Sequence, residues 1–97
     1  MLLSVPQPAT DTYLVEVSGW DSSQSFFVEQ SELAWNEETG KQVALTRSLS
    51  KRTMIFVRLL RPTASDRSSP VAYWAEYLAT TPEEIHRFRL SQVHPRS

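Results

Sequence analysis

The sequence predicts a mainly β protein, and the architecture that we expect is a small antiparallel β-barrel of about six strands. Two observations favour this fold class: short stretches of alternating apolar and polar residues recur along the chain, and turn-forming residues separate them. The chain has 97 residues, of which 40% are hydrophobic and 10% aromatic, as in a single globular domain. Because closure of the six strands would leave no exposed sheet edge, we prefer a barrel to an open sheet.

The first half of the chain is typical of an extended arm followed by three strands. Pro6 and Pro8 lie in a segment that we expect to form an N-terminal arm over residues 1–12, with the barrel domain over residues 13–95. The alternating patterns predict strands at Tyr13–Gly19, Phe26–Trp35 and Gln42–Arg47.

The second predicted strand changes phase along its length. Its first apolar residues, Phe26 and Val28, have even numbers, whereas Leu33 and Trp35 have odd ones. Side chains alternate between the two faces of a strand, so one face can hold both sets only if an extra residue is inserted. We therefore expect a β-bulge or kink near Gln30-Ser31.

The second half of the chain contains the most apolar strand. Thr53–Arg61 places Ile55, Val57 and Leu59 on one face and further apolar residues on the other, which predicts a central strand in the main core. A loop follows, and Val71–Ala79 has the next alternating pattern.

The residues after this strand carry a helix-start signature. Thr81 has the character of an N-cap, Pro82 stands at the first helical position and Glu84 at the third. We expect one short helical turn near Thr81–Ile85 and then a last strand at Arg87–Val93, and the alternative is one helix from Thr81 to Val93.

Charge is divided unevenly along the chain. Seven acidic residues and no basic residue precede Lys41, whereas ten basic and four acidic residues occur from Lys41 onward. This division predicts either cross-strand pairs between early acids and later bases, or acidic and basic surfaces that meet a partner or a second copy.

Two sets of residues are candidates for binding. Clustered arginines beside an aromatic residue in a turn are typical of sites for anionic ligands, a nucleotide or a nucleic acid, and this set is Arg47, Arg58, Arg61 and Trp20. Aromatic residues on two neighbouring strands exceed what a small barrel easily buries and predict an interface, and this set is Phe56, Tyr73, Trp74 and Tyr77.

No catalytic motif stands out. The chain has no cysteine and only two histidines, His86 and His94, whose spacing fits no metal site, so we name no catalytic residue and expect neither a metal nor a cofactor. The chain also shows no basic signal-peptide region and no run of about 20 apolar residues, which favours a cytoplasmic protein that does not enter a membrane.

Three classes of function follow from these patterns. The first is a non-catalytic interaction module that binds another protein or forms a homodimer. The second is a small barrel that binds an anionic ligand through clustered arginines. The third is an enzyme whose site is assembled from scattered residues. The sequence favours the first.

Overall fold

The computed structural model describes residues 11–60 and 69–93, which form six β-strands in a closed antiparallel barrel. The predicted fold class is therefore confirmed, and each strand lies within a few residues of its predicted position. The strands are β1 (Asp11–Trp20), β2 (Phe26–Asn36), β3 (Gly40–Leu45), β4 (Arg52–Leu59), β5 (Val71–Thr80) and β6 (His86–Gln92).

The strands follow the order β1-β2-β3-β6-β5-β4 around the barrel, and pairing between β1 and β4 closes it. The connection from β3 to β4 therefore crosses one end of the barrel. Leu49 lies in this connection and is buried, and the backbone N–H of Ser22 donates to the carbonyl of Ser48 at 2.8 Å. We call this the Leu49 end, and the opposite end, where β1 begins and β4 ends, the far end.

Alternate residues of the strands fill the barrel interior. Ile55 is fully buried and Val57 nearly so, as predicted, while Leu59 is half-buried and packs against the core. The largest fully buried side chains are those of Phe27, Phe88, Leu45, Ile55, Val15, Val17 and Val43.

The β-bulge predicted near Gln30-Ser31 is wrong. β2 pairs with β1 in one unbroken register from Trp20↔Phe26 to Asp11↔Trp35. Phe27, with 2% of its surface exposed, enters the core, whereas Phe26 points outward and is 56% exposed. The one register shift in the described pairings lies in β5, between Tyr77 and Ala79.

Two polar residues explain why β2 needs no bulge. Glu29 and Ser31 share a face with Phe27, although both are polar and interrupt the apolar pattern of that face. The Glu29 carboxylate accepts hydrogen bonds from the backbone N–H (2.9 Å) and hydroxyl (2.8 Å) of Thr46, and the Ser31 hydroxyl donates to the carbonyl of Ala44. Because these partners satisfy the polar groups, the face stays continuous without an extra residue.

The short helical turn predicted near Thr81–Ile85 is also wrong, and so is the alternative helix to Val93. The segment is the hairpin turn between β5 and β6. The Thr81 N–H donates to the Ile85 carbonyl and the Glu84 N–H to the Thr81 carbonyl, each at 2.9 Å, and Glu84 has a φ of 64°. A helix start has little stability without a helix to follow, and pairing of β5 with β6 leaves no residues for one.

Some predictions fall on residues that the structure does not describe. The arm predicted over residues 1–12 lies outside the described residues except for Asp11 and Thr12, which begin β1. Arg61, His94 and most of the loop between β4 and β5 also lie outside them.

Candidate functional site

The outer surface of the barrel carries exposed aromatic residues near the Leu49 end. Trp20 ends β1 and pairs with Phe26 at the start of β2, so both side chains point outward on adjacent strands. Their ring centroids lie 5.1 Å apart at 67°, an edge-to-face contact that favours one defined arrangement. Trp20 is 51% exposed and Phe26 56%, although each is a large apolar side chain.

Further apolar side chains continue this surface across four neighbouring strands. Ser18 pairs with Val28 on one side and with Phe56 on the other, and Phe56 pairs with Ala72. Two residues closer to the Leu49 end, Met54 pairs with Trp74. We call this set the outer apolar face, and its members are Trp20, Phe26, Val28, Met54, Phe56, Ala72 and Trp74.

Charges of both signs border the outer apolar face. On the side toward the far end, Glu16 and Arg58 face each other on β1 and β4 and form an ion pair at 3.2 Å. On the opposite side, the exposed Arg52 holds its guanidinium 4.9 Å from the centroid of the Trp74 ring. Glu76 lies directly opposite Arg52 on β5 and is also exposed, so the border carries an acidic and a basic residue on each side.

The arginines proposed as ligand contacts are placed beside carboxylates. Arg47 pairs with Asp21 at 3.1 Å and also lies over the Phe27 ring, and Arg58 pairs with Glu16. Both pairs join an early acid to a later base, as one of the two interpretations of the uneven charge predicted. Arg61 lies outside the described residues. Trp20, the fourth member of the set, contacts Phe26.

The four aromatic residues proposed as an interface lie on two different faces. Phe56 and Trp74 are on the outer apolar face and half-buried. Tyr73 and Tyr77 occupy the inward-facing positions of β5, as does the buried Ala75. Tyr77 lies near the Leu49 end, where its ring contacts Phe88 and its hydroxyl shares a hydrogen bond with that of Thr80 at 2.7 Å.

Four members of the outer apolar face were not named as candidate site residues at the sequence level: Phe26, Val28, Met54 and Ala72. The pattern assigned Phe26 and Val28 to the core because it placed the inward phase of β2 on even-numbered residues. Two paired residues point to the same side of a sheet. A hairpin register that pairs Phe26 with Trp20, a residue expected to be exposed, would therefore have indicated that Phe26 and Val28 point outward.

Tyr73 belongs to a cavity at the far end of the barrel. The cavity has a volume of about 650 Å³, and inward-facing residues of five strands line it. Among the residues that the structure describes, Tyr13, Trp35 and Tyr73 are the aromatic ones that line it, and Lys41 is the one charged residue. The Lys41 Nζ lies 5.3 Å from the centroid of the Tyr73 ring, within the range of a cation–π contact.

Asp21 has a structural position in the turn between β1 and β2. Its carboxylate accepts hydrogen bonds from the N–H groups of Ser25 (3.0 Å) and Ser23 (2.9 Å) and pairs with Arg47. These contacts, the Ser25 hydrogen bond foremost, hold the pKa of Asp21 below its ordinary value of 3.8. Within residues 11–60 and 69–93, no three His, Asp or Glu side chains form a group that could hold a metal ion.

No family model matches the chain, and neither a curated protein nor a solved structure shows significant similarity to it. In the part of the chain that the structure describes, no helix has the length and apolar character needed to cross a membrane.

Proposed function

We propose that this protein is a non-catalytic interaction module that forms a homodimer through the outer apolar face. The observation that carries the proposal is the exposed Trp20–Phe26 pair, which is continuous with Val28 and Phe56 across the barrel wall. Single exposed apolar residues are common on monomers, but a contiguous apolar patch bordered by charges is typical of an interaction site.

The size of the exposed surface is compatible with a standard interface. A buried Trp or Phe covers 150–250 Å², so Trp20 and Phe26, each about half exposed, offer roughly 200 Å² together. One partner in a standard interface contributes about 800 Å². These two residues would thus supply about a quarter of the contact at the Leu49 end of the face, while Val28, the half-buried members of the face and the charged border supply the remainder.

The charged border favours a second copy as the partner. In a dimer with two-fold symmetry, the same surface meets itself. With the symmetry axis in the plane of the outer apolar face and perpendicular to its strands, the strands of the two copies run in opposite directions. The side of one copy that carries Arg52 and Glu76 then lies against the side of the other that carries Glu16 and Arg58. Opposite charges can pair there while the aromatic rings pack at the centre.

The test is the molar mass in solution, measured by light scattering and sedimentation velocity over a range of micromolar concentrations. We expect the wild-type protein to reach twice the 11.1 kDa of the monomer as concentration rises. Val28→Glu introduces a charge into the outer apolar face and is expected to keep the protein monomeric, because a desolvated carboxylate without a partner opposes association.

Leu14→Glu is the matched control. Leu14 also points outward, from β1, and is 51% exposed against 56% for Val28, but it lies beyond the Glu16–Arg58 pair and outside the outer apolar face. This variant is expected to dimerise like the wild type. A wild-type protein that stays monomeric throughout, or a Val28→Glu variant that dimerises normally, would overturn the proposal. A monomeric wild type would leave binding of a different protein as the role of this surface.

A further inference from the structure

The two ends of the barrel interior are filled differently. Toward the Leu49 end, Phe27, Phe88 and Leu45 are fully buried, and Leu49 itself covers that end. At the far end, the inward-facing residues surround the cavity of about 650 Å³, a size within the range of 300–1,000 Å³ that is typical of small-molecule sites. The mouths of β-barrels are also among the places where such sites recur.

The walls of the cavity are mainly apolar and aromatic. Leu33 and Val57 are buried at its base, and Trp35, Leu59 and Tyr73 pack against the core around them. Aromatic and aliphatic walls of this kind favour a ligand with a flat, apolar body, which gains contact with the rings and loses its exposure to water. Indole and phenol groups also supply hydrogen-bond donors at the edge of an apolar wall.

Lys41 is the feature that points to an acidic group on the ligand. It takes an inward-facing position of β3 and is half-buried. Glu16, Asp21 and Glu76 pair with arginines elsewhere, whereas no Asp or Glu of the described residues lies within ion-pair distance of Lys41. An ammonium that borders an apolar cavity and contacts an aromatic ring is well placed to bind an anion there.

We propose that this cavity binds a small organic acid with an aromatic or otherwise flat apolar body, and that Lys41 binds its acidic group. One ammonium favours a singly charged carboxylate or sulfonate over a polyphosphate, since phosphate sites use several arginines, backbone amides or both. The cavity is therefore not the arginine site that the sequence predicted. It lies elsewhere in the fold, it offers a lysine and no arginine among the described residues, and it suits a different class of ligand. It opens at the far-end mouth of the barrel, away from the outer apolar face, so binding there does not depend on the proposed homodimer.

The probe for the test is 1-anilinonaphthalene-8-sulfonate, a flat aromatic molecule with one acidic group whose fluorescence rises in apolar surroundings. Its neutral counterpart, N-phenyl-1-naphthylamine, lacks the sulfonate. We expect both probes to bind the wild-type protein saturably, with one site per chain. Lys41→Met is expected to weaken binding of the sulfonate probe about tenfold, the size of a lost charge-assisted contact, and to leave binding of the neutral probe within about twofold.

Two control variants separate the cavity from other surfaces. Lys51→Met removes an exposed lysine at the Leu49 end and is expected to change neither affinity. Val28→Glu changes the outer apolar face and is also expected to change neither, which excludes binding of the probes to that surface. Thermal melting of each variant in the absence of probe verifies that it is folded.

Three results would overturn the proposal. The first is the absence of saturable binding of the sulfonate probe to the wild-type protein. The second is a folded Lys41→Met variant that binds both probes equally more weakly, or binds both as tightly as the wild type does. Either result would mean that the Lys41 ammonium does not recognise the acidic group. The third is loss of binding in Val28→Glu, which would assign the probe to the outer apolar face.

Discussion

Truncation of Phe27 to alanine tests the phase of β2, on which the core and the outer apolar face both depend. Phe27 is 2% exposed, and Arg47 holds its guanidinium 5.7 Å from the ring centroid. Removing a buried Phe side chain costs about 3–5 kcal/mol through lost burial and the cavity left behind. A domain of this size has a total stability of about 5–15 kcal/mol, so the variant would lose a large share of it. The expected fall in melting temperature is roughly 12–40 °C, at about 4–8 °C per kcal/mol.

Phe26→Ala is the matched control, because it makes the same change one residue earlier. The Phe26 ring is more than half exposed, and its contact with Trp20 is of a kind that contributes about 0.5–1.5 kcal/mol. We expect a loss of about 1 kcal/mol. Both variants are measured by urea unfolding at the lowest usable protein concentration, because association would add to the apparent stability of the wild type.

The comparison has a clear contrary outcome. If Phe26→Ala cost more than Phe27→Ala, Phe26 would be the core residue and the unbroken β1–β2 register would be incorrect. The β-bulge predicted near Gln30-Ser31 would then be required after all. A change in the slope of the unfolding free energy with urea would indicate an altered unfolded or native state, so equal slopes are a condition of the comparison.

Two further predictions concern turns. Gly40 has a φ of 76° with open space around the position of an added Cβ, so Gly40→Ala is expected to cost about 1–2 kcal/mol from backbone strain alone. Conversely, Glu84→Gly relieves a φ of 64° and is expected to raise the melting temperature; if both variants melt like the wild type, the strain argument is wrong. Asp21→Asn retains a side-chain oxygen that can accept the turn hydrogen bonds but loses the charge. Because folding lowers the pKa of Asp21, the carboxylate stabilises the fold fully above its ordinary pKa of 3.8, and this contribution is lost as the pH falls through the lower pKa of the folded state. The difference in unfolding free energy between the wild type and Asp21→Asn should therefore shrink below about pH 4. A difference that is as large in strong acid as at about pH 6 would contradict this prediction.

The six strands could be predicted because their signals are local. β4 shows this well: Ile55 and Val57 alternate with outward-facing residues, and the structure buries both. Alternation of side chains between two faces is a property of any extended strand. The turn residues between strands also act over a few positions, so the number of strands and their order along the chain follow from short windows of sequence.

Local signals failed where two interpretations of a short segment were both acceptable. Phe26 and Phe27 are identical in chemistry, and pairing with β1 decided which of them enters the core. The segment Thr81-Pro82-Glu83-Glu84 suits a helix start, but the hydrogen bonds between β5 and β6 impose a hairpin turn on it. In both cases, partners distant in sequence outweighed the local preference.

The sequence by itself determined a six-stranded β protein with an apolar central strand and two oppositely charged halves. Only the tertiary structure decided which residues meet. Pairing of β1 with β4 places Ser18 beside Phe56, which joins Phe26, Val28 and Trp20 to Trp74 in one surface. The order β3-β6-β5 places Lys41 over the ring of Tyr73 and leaves the far end of the barrel lined by aromatic residues. These contacts join residues more than thirty positions apart, and they depend on strand order and closure, which no alternating pattern within one strand specifies.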